Sequence, residues 1–212
     1  MARDTSALDA NVKRAGQAIR RARAHRAHVL PPVIVMTDHA RQGSAETLAR
    51  ALPRGTALCL RDYDLPGRAA LAHRLGRLCR ARAISFLVAG DVRLAIASGA
   101  DGVHLPEAMA RASRLPLALA RAHGLAVTLA AHSPRAATFA AREARGLVDA
   151  VLISPVFATA SHPGARPLGA LGFLRVRAAA PDIAAVALGG MTAATCRRLG
   201  PAEPDGIAGI GF

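Results

Sequence analysis

Eight short apolar runs recur along this chain, and an Ala- and Arg-rich stretch follows each of the first seven. The runs are Val33–Thr37, Ala57–Arg61, Ile84–Val88, Gly102–Leu105, Ala126–Ala130, Ala150–Ser154, Ala184–Leu188 and Gly206–Ile210. Most of each run is an unbroken string of Val, Ile, Leu and Ala. Successive side chains of a strand point to opposite faces, so a strand with one wet face must alternate apolar and polar residues. A strand that does not alternate is covered on both faces, which is the habit of parallel sheets. The stretches between the runs carry helical patterning near 44–52, 68–81, 91–99, 108–122, 134–145, 168–179 and 192–199. Eight strands joined by helical crossovers exceed the roughly five or six of an open doubly wound sheet. The pattern therefore predicts the α/β class and, within it, a (β/α)8 TIM barrel.

Local signals agree with that plan. Ser133-Pro134 supplies an N-cap and a first-turn proline, and Thr192 supplies a cap after Gly189-Gly190. Gly99-Ala100-Asp101-Gly102 and Pro204-Asp205-Gly206 read as tight turns leading into strands. Two segments depart from the regular alternation. Residues 1–30 read as a separate basic amphipathic helix, with Leu8, Val12, Ala15, Ile19 and Ala22 on one face and a Ser6/Asp9 capping box. The barrel domain is assigned to residues 31–212. The sequence has no helical stretch after the eighth run, so the N-terminal helix is expected to cover the outer wall of strands 8 and 1, in the same subunit or in a homodimer.

Composition excludes several functions. Aromatic residues make up 3 % of the chain and Trp is absent, so the core must be built from Ala, Leu, Val and Ile. The formal net charge is +14, but it comes almost wholly from Arg spread along helices, with no aromatics interleaved for base stacking. No specific nucleic-acid partner is expected. No apolar run approaches the ~18 residues of a membrane span, and no apolar stretch follows the basic N-terminus as a secretory signal requires. No membrane partner and a cytoplasmic location are therefore expected. Cys59, Cys79 and Cys196 fit neither a disulfide framework nor a zinc spacing and read as free thiols. Lys13 is the only lysine and lies in the N-terminal helix, which argues against a Schiff-base mechanism.

In a (β/α)8 barrel the chemistry sits at the C-terminal ends of the strands. Those ends offer Thr37-Asp38-His39, Arg61-Asp62-Tyr63, Asp91, His104 with Glu107, His132-Ser133, then Thr159, Ser161 and His162, and finally Gly189-Gly190 and Gly211. Glycines after strand 7, followed by a helix start at Thr192, suit a phosphate, because backbone amides approach an anion closely there. Arg61 is a candidate anion clamp. His132 is a candidate for proton transfer near neutral pH, and His162, in the loop after strand 6, is a further catalytic candidate. His104 is expected to be a packing residue within its strand.

Several segments resemble the thiamine-phosphate synthase/TenI family: Thr37-Asp38, Leu60-Arg61-Asp62, Leu94–Leu105, His132-Ser133, Ser154–His162, Leu168-Gly169, Leu188–Met191 and Gly206–Gly211. The resemblance implies a barrel whose synthases join a pyrimidine methyl pyrophosphate to a thiazole phosphate with Mg2+, releasing pyrophosphate. It implies that Arg61, Thr159 and Ser161 meet pyrophosphate or pyrimidine groups, and that Gly189, Gly190 and Gly211 hold the thiazole phosphate. The chain departs from the synthase pattern at four places. The Asn-Asp pair after strand 3 corresponds to Ala89-Gly90, the metal-binding aspartate after strand 4 to Met109, the lysine of the strand-6 loop to His162, and a lysine after strand 2 to Tyr63. Asp91 and Glu107 are the carboxylates available to replace the metal ligands. His132 stands where TenI-type thiazole tautomerases keep their histidine. The reading is a synthase-like transferase acting on phosphorylated thiazole and pyrimidine molecules. Its alternatives are a tautomerase using His132 and a non-catalytic phospho-ligand-binding barrel.

Overall fold

A computed structural model describes residues 10–13, 30–159 and 164–210. Its strands are β1 (Val33–Met36), β2 (Ala57–Leu60), β3 (Ser85–Ala89), β4 (Gly102–Leu105), β5 (Ala126–Ala131), β6 (Ala150–Ile153), β7 (Ala184–Leu188) and β8 (Gly206–Gly209). They pair in chain order and in parallel, and β8 closes on β1. This is the (β/α)8 barrel that the apolar runs predict.

The runs do not alternate because alternate residues serve two different cores. Ile34, Met36, Cys59, Leu87, Leu152 and Val186 pack together inside the barrel. Their neighbours Val33, Val35, Leu58, Leu60, Phe86 and Val88 join a larger cluster shared with the surrounding helices, which contribute Leu71, Leu75, Leu117 and Phe173. Burying each large side chain of this kind contributes about 1.5–3 kcal/mol. Inside β4 and β5 the filling turns polar, with His104 paired in register with Thr128.

The turns before β4, β6 and β8 share one device. Asp101 Oδ2 accepts from Phe86 N at 2.8 Å, Asp149 Oδ2 from Val127 N at 2.7 Å, and Asp205 Oδ2 from Ala185 N at 2.9 Å. Each carboxylate ties the start of its own strand to the start of the strand before it. The Gly-Ala-Asp-Gly and Pro-Asp-Gly turns are thus structural, as read.

Two helices differ from expectation. The stretch 108–122 is two helices, Glu107–Ala112 and Leu115–Ala122. Pro116 has no amide hydrogen to bond the carbonyl one turn back, so the helix ends at Ser113 and restarts with the proline in its first turn. The stretch 134–145 begins as a helix, Pro134–Thr138, and widens into a π turn, Phe139–Glu143, closed by Ala144 N to Phe139 O at 2.9 Å. A short helix, His39–Gln42, was not read from the sequence.

Of the basic N-terminal helix, residues 10–13 are described. They are helical, and Val12 is 1 % exposed within the larger cluster. Leu8, Ala15, Ile19 and Ala22 lie outside the described residues. Cys59 and Cys79 are buried free thiols and Cys196 is partly buried. Burial pushes the Cys59 and Cys79 thiols up to about 12 and the Cys196 thiol up to about 11. Among the described residues no helix is long and apolar enough to cross a membrane.

Candidate active site

The C-terminal ends of the strands surround a cavity of about 760 Å³. Strands β1, β2, β6 and β8 each stop one residue short of the apolar run that predicts them, and Thr37, Arg61, Ser154 and Ile210 leave the ladder there. Of these, Arg61, Ser154 and Ile210 line the cavity.

Arg61 is held by the neighbouring strand end. Its amide donates to Thr37 Oγ1 at 2.9 Å, and its guanidinium donates to Asp38 Oδ2 at 3.1 Å and Thr37 O at 3.4 Å. Asp38 also caps the helix His39–Gln42 and receives Arg41 Nε at 2.8 Å. Burial alone would raise the Asp38 carboxyl. The hydrogen bonds from Arg41 and the charges of Arg41 and Arg61 outweigh it and hold the group below the usual carboxylate range. Asp62 in turn accepts from Thr37 Oγ1 and from the His39 amide. Arg61 is therefore both an ion-pair partner and a wall of the cavity.

His132 follows β5 and lines the same cavity. Its Nδ1 lies 2.9 Å from Ser154 O, an atom that can only accept, so Nδ1 carries the proton. In the neutral ring Nε2 is then a bare lone pair. His104 is a packing residue with an added face on the cavity. It is 6 % exposed, its Nδ1 is 2.9 Å from Thr128 Oγ1, and it also lines the cavity. Burial, reinforced by the neighbouring His132 and Arg61, lowers its pKa to about 4.

Gly189 and Gly190 form the turn after β7 with φ of +95° and +63°. The turn presses on the β6 loop. A Cβ on Gly190 would lie 2.5 Å from Ala158 O, and one on Gly189 would lie 3.0 Å from Pro155 Cα. The bonding of this turn uses its carbonyls, since Leu188 O and Gly189 O accept from the Val156 and Phe157 amides at 2.9 and 3.0 Å. Both glycines and Thr192 line the cavity. Thr192 caps a helix of only six residues, and Thr192 and Thr195 satisfy each other's amides through a capping box.

Thr159 lines the cavity, whereas Ser161, His162 and Gly211 lie outside the described residues. Asp91 and Glu107 are not brought into the cavity wall. Asp91 caps the helix Val92–Ala97, accepting from Leu94 N at 2.9 Å, and Glu107 pairs with Arg111 Nε at 2.7 Å. These are the two carboxylates that the sequence offers as candidate metal ligands. Each carboxylate sits at the start of a different helix and is already engaged there. No group of three or more His, Cys, Asp or Glu able to hold a metal occurs among the described residues.

Three polar lining residues escaped the sequence reading. Arg41 was signalled by its spacing from Asp38, three residues on in the same helical turn. Ser154 was visible as the end of an apolar run, but not as the partner of His132. Arg166 stands in a loop without periodicity, after Gly164, and carried no signal.

A closed parallel barrel with guanidinium groups, a histidine and a glycine turn at its C-terminal mouth defines a (β/α)8 barrel suited to a small phosphorylated ligand. The chain matches the family described as thiamine monophosphate synthase over residues 32–211, and it belongs to that family. It is 33 % identical over 188 residues to the thiamine-phosphate synthase of Geobacillus kaustophilus, covering 84 % of this chain and 80 % of the relative. It is 37 % identical over 167 residues to that of Methanoculleus marisnigri, covering 77 % of each. Among solved structures, thiamine phosphate pyrophosphorylase from Pyrococcus furiosus superposes with a TM-score of 0.64 at 25 % identity, covering 85 % of both chains.

Proposed function

We propose that this chain is a transferase of the thiamine-phosphate-synthase type. It would move a pyrimidine methyl group from pyrophosphate to a thiazole phosphate. One observation carries the reading: a single cavity is lined both by the Gly189-Gly190 turn after β7 and by Arg61 after β2, separated around the ring by β8 and β1, and each would take an anion. A reaction that joins a monophosphate to a carbon bearing pyrophosphate needs both at once. The glycine turn would anchor the thiazole phosphate, and Arg61 would attract the departing pyrophosphate, whose developing charge a fixed guanidinium stabilises. The membership of the chain in its family supports the same chemistry.

Mg2+ is implied by the family resemblance. The carboxylates proposed for it are engaged elsewhere, so the described residues do not fit a protein-built Mg2+ site. The test is a coupling assay with the pyrimidine methyl pyrophosphate and the thiazole phosphate, read as thiamine phosphate by mass. Formation of product that falls at least tenfold in Arg61→Gln supports the reading. No product, together with no calorimetric binding of thiazole phosphate, rejects it.

The His132 geometry favours a second reading, a thiazole tautomerase. Its Nδ1 is held by Ser154 O, so Nε2 is the ring atom free to take a proton from a bound ring and return it to another atom. Solvent deuterium exchange into a thiazole phosphate, abolished in His132→Ala, would identify that activity. Exchange that persists in the variant would remove His132 from the role.

A further inference from the structure

The charge balance of the cavity wall carries one step beyond the proposed reaction. Among the described residues, the ionised side chains lining it are Arg41, Arg61 and Arg166, and no Asp or Glu lines it. The lining also includes two imidazoles, His104 and His132. Arg41 and Arg61 share the Asp38 carboxylate just outside the lining. Arg166 has no acidic partner among the described residues. Among the described residues, the charged groups of the cavity wall are thus guanidinium groups, with the Asp38 carboxylate beside two of them.

That balance is the reverse of what a divalent cation needs. Mg2+ is held by one or two carboxylates together with phosphate oxygens. The described wall offers the ion no carboxylate, and three guanidinium groups repel it. The same groups can meet phosphate oxygens directly, through planar, paired N–H donors.

We infer that this cavity neutralises a diphosphate by direct contact with Arg166, Arg61 and Arg41, in place of a protein-held divalent metal. Arg166 is assigned as the diphosphate-contacting residue of the loop after β6. Arg61 and Arg41, already oriented by Asp38 and Thr37, form the other side of the clamp. The inference rests on the reading that one of the ligands carries a diphosphate.

The experiment is calorimetric titration of the full chain with inorganic pyrophosphate, once in EDTA and once with excess Mg2+. Binding is expected in EDTA, with no more than about a threefold gain on adding Mg2+ and with a marked loss at higher salt. Arg166→Gln should weaken it about tenfold to a hundredfold, the range for a lost hydrogen bond between charged groups. Arg166→Lys should recover part of that loss. Unchanged melting temperatures of both variants would establish that the loss is local. Binding that appears only with Mg2+, or that is undiminished in Arg166→Gln, overturns the inference.

The coupling assay separates this outcome from failure of the transferase reading. Coupling that strictly requires Mg2+ keeps that reading and sinks the arginine clamp. Metal-free pyrophosphate binding without coupling, and without thiazole phosphate binding, does the opposite.

Discussion

His104 sits in β4 with its ring inside the barrel, beside Thr128 and within the influence of His132. The Thr128 hydroxyl donates to Val103 O at 3.3 Å, so it accepts from His104 Nδ1, and the ring is held neutral with Nε2 bare. This placement has a pH signature. In the unfolded chain the imidazole gains its proton as pH falls through 6.5, while in the folded chain it resists until about 4. Between those values the unfolded state binds more protons, so stability is fully present above the window and is lost as pH drops through it. The loss should be on the order of 2–3 kcal/mol. Urea unfolding at a series of pH values should show it in the wild type and much less of it in His104→Gln. Parallel curves for the two proteins would contradict this account. The sequence marked His104 as a packing residue. Its contact with the cavity was not legible, because it depends on Thr128 standing opposite it in the next strand.

The aspartates before β4, β6 and β8 show how far a motif carries at the level of elements. Asp101 and Asp205 were visible because a glycine follows each and opens the strand, where a Cβ would press on neighbouring backbone, 2.7 Å from Ala126 O at Gly102 and 3.1 Å from Pro32 O at Gly206. Asp149 makes the same bond but lies between Val148 and Ala150, so no turn motif marks it. Asp149 also receives Arg121 Nη1 at 2.9 Å. Asp149→Ala would strip the Val127 amide of its partner at a strand start and should cost about 1–3 kcal/mol, with Asp149→Asn costing less because it keeps an acceptor. Chemical denaturation of both variants measures the order. An alanine variant as stable as the wild type would show that the clamp is idle. The broken helix after β4 was legible in principle, since Pro116 lies inside the predicted stretch. The π turn after Thr138 was not, because no residue type demands it.

At the scale of the molecule, the N-terminal segment bears on how the outer wall of the barrel is covered. Val12 is buried among residues of the barrel's outer core, which fits the apolar stripe read from Leu8 to Ala22. We propose that this segment packs on the barrel as a separate helix. Removing residues 1–28 should then lower the melting temperature or cause aggregation, because each large apolar side chain uncovered costs about 1.5–3 kcal/mol against a typical total of about 5–15 kcal/mol. Unchanged melting and unchanged mass in light scattering would identify the segment as dispensable.

The sequence by itself determined the barrel. Burial on both faces is written locally, in strands that do not alternate, and eight such strands with short crossovers leave little choice of closure. It also placed Arg61, His132, Gly189 and Gly190 at the mouth, because the end of a parallel strand is a position along the chain. The tertiary structure alone decided their partners. Asp91 and Glu107 are engaged at helix starts, His132 acquired a fixed tautomer from Ser154, and the cavity wall holds three arginines with no carboxylate among its described residues. Each of these depends on which side chain meets which across strands and loops distant in sequence, and the local pattern carries no record of that.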